Sequence, residues 1–351
     1  MLYQFPNLLR GTLPLLVLFL IGTVDAAVIR GRIDLKGKAN RDAVANRVVV
    51  LYEATEGRPV ARGAAVTQRS GQFQIQTDRR SANGIFYVTT QLPHNVRLVT
   101  VLGPTLPNRV TLNELTSVAA SYSMAQFFKT NAIAGDPFAL RIAAMMSENI
   151  ANPTSGKISD VLKQSPNADE TESLRLTRSL ANIVNLCARN SKASEKFRRM
   201  TRVTGESSPN HTAQAMANLA RDPARKARRI FQLSEERSAF SPVLRTAPDG
   251  WCVTVKVNQT GDPSVLFGGP ANVAFDARGY AWIPNNSVQG TPDSSEYLMV
   301  LRPDGKPAGG ENGGPVSPKR GGGILGGGWG VTLDSRQRVW TSNFGWGGLA
   351  N

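Results

Sequence analysis

One phrase is written twice in this chain. "GPANVAFDARGYAWIPNN" begins at Gly269 and "GWGVTLDSRQRVWTSNFG" at Gly328. Val273, Asp276, Arg278, Trp282 and Asn285 fall on Val331, Asp334, Arg336, Trp340 and Asn343 at one offset of 58 residues. In each copy an apolar strand start leads into a tight turn, "DARG" or "DSRQ", and a second strand closes on tryptophan. Asp suits the head of such a turn because its carboxylate accepts from backbone amides two residues on, and Gly279 tolerates the positive φ where the second copy has Gln337. The first copy continues through "EYLMVLRPDGKP", a further strand stopped by a Pro-Asp-Gly turn. Strand, turn, strand, loop, strand, turn is the grammar of a propeller blade, and the Gly-rich insert "AGGENGGPVSPKRGGGILGGG" accounts for the long repeat. Asp276, Trp282, Asn285, Asp334, Trp340 and Asn343 are therefore expected to define the repeat structurally.

These residues resemble the NHL-type and streptogramin-lyase-like six-bladed propeller repeat, in which an Asp-x-x-Gly turn precedes a Val-Trp-x-x-Asn strand. The sequence departs from it at Gln337 and Arg338, and Pro284 enters a strand end. Residues 263–351 hold one blade and the opening of a second, whereas a closed ring needs about four to eight. The expectation is a truncated propeller whose open edges invite association with other chains.

The remaining sequence divides into three parts. Residues 1–26 carry Arg10, the apolar run "LPLLVLFLIGTV" and "VDAA", the signature of a secretory signal peptide cleaved before Ala27. Residues 27–105 read as short strands: "AVIRGRIDL", "NRVVVLYEA", "GQFQIQT", "GIFYVTTQL" and "VRLVTVL". Phe73, Ile75 and Thr77 alternate with Gln72, Gln74 and Gln76, so one set faces inward. Near-regular turns argue an antiparallel β-sandwich. "VIRGRI", "VVVLYEA", "TQRSGQFQI" and "FYVTT" follow the order of the transthyretin-like, carboxypeptidase-regulatory-like domain, which this part resembles; that resemblance implies an accessory module without catalysis.

Residues 110–240 read as all-α. Thr111 and Glu114 suggest a capping box, and Asp136 with Pro137 opens another helix. Leu176, Leu180, Ile183 and Leu186 make an apolar stripe, and a helix over "TAQAMANLARDPARKARRIFQL" is interrupted at Pro223. The region is similar to the helical segment that precedes such propellers in exported bacterial proteins. The expected organisation is thus multidomain: signal peptide 1–26, sandwich 27–105, helical domain 110–240 and partial β-propeller 250–351.

The formal net charge is +15. The last 101 residues hold 8 basic against 7 acidic side chains, so the excess lies upstream. On a secreted or periplasmic protein such a field favours an anionic envelope or extracellular polymer. The basic runs "KFRRMTR" and "RDPARKARRIF" offer little stacking surface, so nucleic acid is not expected. Cys187 and Cys252, the only cysteines, leave a disulfide open. His94 and His211 lie in turn-like contexts without metal-ligand spacing and read as surface residues; sequons stand at Asn210, Asn258 and Asn285.

No GxSxG, HExxH or Walker loop occurs, and no catalytic, cofactor or metal residue is expected. The reading is an exported non-catalytic binding or interaction protein. The alternative implied by the resemblance is a fragment of a streptogramin-lyase-like or gluconolactonase-like metal-dependent enzyme, whose histidine and carboxylates would come from later blades.

Overall fold

The computed structural model describes residues 27–37, 41–78, 80–129 and 132–343. The leader expected over residues 1–26 lies outside them. Among the described residues the chain forms several mostly antiparallel sheets and eight helices.

Two sheets are built by β1 (Ala27–Ile33), β2 (Val48–Ala54), β3 (Val60–Val66), β4 (Gln72–Thr77), β5 (Ser81–Leu92), β6 (Val96–Thr105) and β7 (Arg109–Leu112), with the single-turn α1 (Arg41–Val44) between the first two strands. One sheet runs β4-β1-β7 and the other β3-β2-β5-β6; only β1 with β7 is parallel, Gly31 facing Val110. The alternation expected in β4 is observed: Phe73, Ile75 and Thr77 are buried and the three glutamines exposed.

In β5 four successive residues, Ile85, Phe86, Tyr87 and Val88, are all buried, because both faces of its sheet are covered. Phe86 and Val88 share a hydrophobic cluster with Ile29 and Ile75 of the other sheet. Ile85 and Tyr87 share a second one with Val99, Val101 and helical residues such as Met124 and Leu140. A strand wrapped on both sides reads as an uninterrupted apolar run, and each such side chain contributes about 1.5–3 kcal/mol by burial.

The helices are α2 (Glu114–Ser123), α3 (Pro137–Glu148), α4 (Asp160–Lys163), α5 (Ser173–Cys187), α6 (Ser191–Met200), α7 (Thr212–Arg221) and α8 (Ala227–Glu235). A two-residue pairing of β8 (Phe128–Lys129) with β9 (Ala132–Ile133) interrupts them. The cap of α2 differs from expectation. Thr111 is held in β7, and Asn113 is the N-cap: its Oδ1 accepts from Thr116 N at 2.9 Å while Thr116 Oγ1 accepts from Asn113 N at 3.0 Å. Glu114 turns inward instead, accepting from Lys36 N and Asn185 Nδ2, and burial pushes its carboxyl up. The start of α3 is as expected, Asp136 Oδ1 accepting from Ala139 N at 2.8 Å ahead of Pro137.

Leu176, Leu180, Ile183 and Leu186 are buried in the same cluster as the two sheets, so the helices share the strands' core. That continuity, and β7 reaching Leu112, joins the regions that the sequence separates near residue 105.

After α8 the chain extends past Trp251, which is fully buried, with Val253, Val255 and Val257 less exposed than Thr254, Lys256 and Asn258. It then enters a four-stranded antiparallel sheet, β10 (Ala274–Phe275), β11 (Ala281–Pro284), β12 (Tyr297–Leu301) and β13 (Lys319–Arg320), followed by the pair β14 (Gly327–Leu333) and β15 (Val339–Asn343). No helix among the described residues is long and apolar enough to cross a membrane.

Candidate functional site

The repeated phrase folds into the same hydrogen-bonded device twice. Asp276 Oδ1 accepts from the backbone N–H groups of Arg278 (2.9 Å) and Tyr280 (3.0 Å), and Oδ2 accepts from the Trp282 indole at 3.2 Å. Asp334 Oδ1 accepts from Arg336 N (2.9 Å) and Arg338 N (3.0 Å), and Oδ2 from the Trp340 indole at 3.1 Å. The Arg338 backbone N–H, then Trp340 and the Arg338 side chain, hold the Asp334 carboxyl down at about 2.

Gly279 and Gln337 occupy the same left-handed turn position, φ 83° and 60°. A side chain at 279 would also collide with Met145, so that turn is fitted to α3. The two asparagines each tie down the loop before their repeat. Asn285 Oδ1 accepts from Gly268 N and Gly269 N while its Nδ2 donates to Leu266 O; Asn343 accepts from Leu325 N and donates to Gly323 O. The repeats also touch, through Ala277 N donating to Gln337 Oε1 at 2.6 Å and Asn286 Nδ2 donating to Gly327 O at 2.9 Å. Their environments differ: Asp276 is buried, whereas Trp329 and Trp340 are 59% and 55% exposed.

Where the first repeat meets α3 lie two adjoining clefts that share Met145, Arg302 and Pro303. The first, of about 520 Å³, has a mixed lining that carries the charged side chains, and opens between Leu102–Thr105 of β6, α3 and the turns after β10 and β12. The second, of about 300 Å³, is mainly apolar, with Tyr122, Met146, Ile150, Val255 and Phe275 in its wall. Local sequence builds the junction. Met145 and Glu148 are three apart in α3 and so share a face. Arg302-Pro303-Asp304-Gly305 closes a turn, Gly305 N donating to Arg302 O at 2.9 Å, and Asn149 Nδ2 anchors it by donating to Pro303 O at 3.0 Å. Lys306 Nζ adds a 2.6 Å pair with Asp160 of α4, whose carboxyl Lys163 and Lys306 hold down at about 2.

The charges within the first cleft are unequally matched. Arg302 bridges Asp304 (3.2 Å) and Glu311 (2.9 Å). Arg278 stacks over the Tyr280 ring at 5.2 Å and makes no ion pair among the described residues. Glu148 is half-buried and receives no hydrogen bond among the described residues; burial first, then Asp304, raise its carboxyl to about 7 against the opposing pull of Arg302. A group titrating there can donate or accept at neutral pH. The arrangement suits a ligand with an apolar body and a polar or anionic end. Arg278, Gly279 and the Pro303-Asp304-Gly305 turn belong to the repeat read in the sequence, whereas Met145, Glu148 and the β6 residues are flagged by no motif.

One expectation is corrected here, and two open questions are answered. His211 is not on the surface. It is 1% exposed and caps α7, its Nδ1 accepting from Gln214 N at 3.1 Å and its Nε2 lying 2.9 Å from Arg97 Nη1. Burial, then Arg97 and Arg198, push the imidazole down to about 3. Cys187 and Cys252 are both free, the first buried in α5 with its thiol pushed up to about 12, the second exposed, so the possible disulfide is not formed. Asn285 is 1% exposed with its amide engaged, which closes that sequon to modification. His94 is exposed as expected.

The imidazole carries a pH prediction. The unfolded chain takes up a proton near pH 6.5 that folded His211 refuses until about pH 3, so stability is lost as pH falls through that window and is unaffected above it. His211→Asn keeps a good N-cap and removes the titration. Urea denaturation at pH 7.5 and 4.5 is expected to show a smaller acid loss for the variant; an identical loss in both proteins would contradict this account.

Searched against family models and against curated proteins, the chain matches none.

Proposed function

We propose that the chain is an exported, non-catalytic binding protein, in which a sandwich-type accessory module and its helices support the first blades of an NHL-like propeller. Its ligand occupies the junction of α3 with the first repeat. The observation that carries the reading is the pair of clefts joined at Met145, Arg302 and Pro303, one apolar and one bearing unpaired Arg278. Binding sites of small molecules are typically concave, largely apolar and provided with a few convergent polar groups. The propeller reading is supported by the twice-made Asp–Trp turn and the asparagine ties, and export by the sequence of residues 1–26.

A metal-dependent lyase or lactonase is the alternative. In that reading the chain is a fragment of such an enzyme, whose metal-binding histidine and carboxylates would come from later blades. The observation in favour of catalysis is Glu148, whose carboxyl titrating near 7 beside Asp304 has the property of a general acid–base.

Anilinonaphthalene sulfonate, an apolar ring system with one anionic group, is a suitable probe. Fluorescence titration is expected to give one saturable site in the wild type and an affinity at least about tenfold weaker in Met145→Trp, a loss of about 1.4 kcal/mol, because the larger side chain fills the shared wall. Equal affinity in the two proteins would sink the proposal.

A further inference from the structure

The two basic runs of the helical region meet in space. The C-terminal half of α6 with the loop after it, and the entry to α8, enclose a cleft of about 480 Å³ walled by Lys196, Arg199, Arg202, Lys226 and Arg229. Met200 and Ser208 complete the wall, and no carboxylate belongs to it. Lys196 and Arg199 have only long pairings, 3.6 Å to Glu236 and 3.8 Å to Glu195. Arg202, Lys226 and Arg229 make no ion pair among the described residues.

The enclosure is fixed in place by its neighbours. Arg225 pairs with Asp222 at 2.6 Å and donates to Arg202 O at 2.9 Å, tying the loop after α6 to the segment before α8. Lys226 is held at φ 48°, a left-handed conformation uncommon for a side-chain-bearing residue, at the head of α8.

Five cations converge on a wall that holds no acid, with only the two long pairings behind it, so they repel one another, and a multivalent anion relieves that repulsion at several points together. Arginine forks match the oxygens of phosphate and sulfate in bidentate geometry. The volume lies in the range of small-ligand pockets, about 300–1,000 Å³. Nucleic acid is disfavoured by the same geometry: Phe197 and Phe231, the aromatic residues of these runs, are buried in the core and offer no platform for bases. We infer that this cleft binds a compact, multiply charged phosphate or sulfate ester, at a site separate from the junction clefts.

Isothermal titration calorimetry of the chain with inorganic tripolyphosphate and with a fully sulfated disaccharide tests this at low ionic strength. One site is expected, weakened by added salt and at least about tenfold weaker, or 1.4 kcal/mol, in the double variant Arg199→Ala, Arg229→Ala. Both side chains are exposed, so the thermal melt should be retained. Lys157→Ala with Arg32→Ala, in another basic hollow, should leave binding as it is. The tighter of the two probes shows whether the anionic groups recognised are phosphate or sulfate. Binding of neither probe, equal binding by the double variant, or tighter binding of single-stranded DNA than of tripolyphosphate would overturn the inference.

Discussion

Trp251→Ala is expected to lower the unfolding free energy by about 3–5 kcal/mol, the range for emptying a buried aromatic site. The indole is fully buried in the main core, and its Nε1 donates to Ala227 O at 3.2 Å. The residue's backbone is equally engaged: its N–H donates to Pro223 O at 2.9 Å, and its carbonyl accepts from Tyr122 Oη at 2.8 Å. Trp251 thus fastens the segment leading to the repeats onto the head of α8 and the end of α2. Urea denaturation monitored by circular dichroism measures the loss; a change below about 1 kcal/mol would show that the site collapses without penalty.

Asp276→Ala is the second large expected effect, about 2–3 kcal/mol, because it leaves two turn amides and the Trp282 indole without their acceptor. Asp276→Asn retains one acceptor oxygen and should recover part of the loss. Asp334→Ala removes the corresponding three bonds in the second repeat and an exposed pair with Arg338, but the carboxylate there is more open to water, so the loss is expected to be smaller. Thermal melts of the three variants check the order; equal losses at 276 and 334 would contradict the difference in burial on which it rests.

The repeats were legible because their chemistry is local. An aspartate heading a turn, a residue with positive φ three places on and a tryptophan whose indole returns to the same carboxylate all lie within seven residues of chain. The opening of α3 was legible for the same reason, through Asp136 and Pro137. The cap of α2 was misjudged because a non-local pairing decides it: β7 docks beside β1 and takes Thr111 into a strand, leaving Asn113 as the first free capping side chain.

His211 was misplaced on similar grounds. "PNHT" has the composition of an exposed turn, and only the approach of Arg97 and Phe128 encloses the ring. The repeat-side wall of the junction clefts was visible as the turns at Arg278 and Pro303, but its meeting with α3 could not be read. Glu148 and Asp304 have nothing in common in sequence; Asn149 bonding to Pro303, and Gly279 lying against Met145, bring them together. The cationic cleft was half legible. Both basic runs were evident, but their convergence depends on the turn at Pro223 that folds α8 back beside α6.

The central claim, a ligand site at the junction of α3 and the first repeat, is tested most directly by the methionine methyl spectrum of the ¹³C-labelled protein. With seven methionines the spectrum is simple, and Met145 and Met146 line the apolar cleft whereas Met216 and Met299 are buried elsewhere. On titration with anilinonaphthalene sulfonate, the Met145 and Met146 resonances are expected to move together and saturate while those of Met216 and Met299 hold still. Saturable binding that leaves Met145 unmoved would contradict the account.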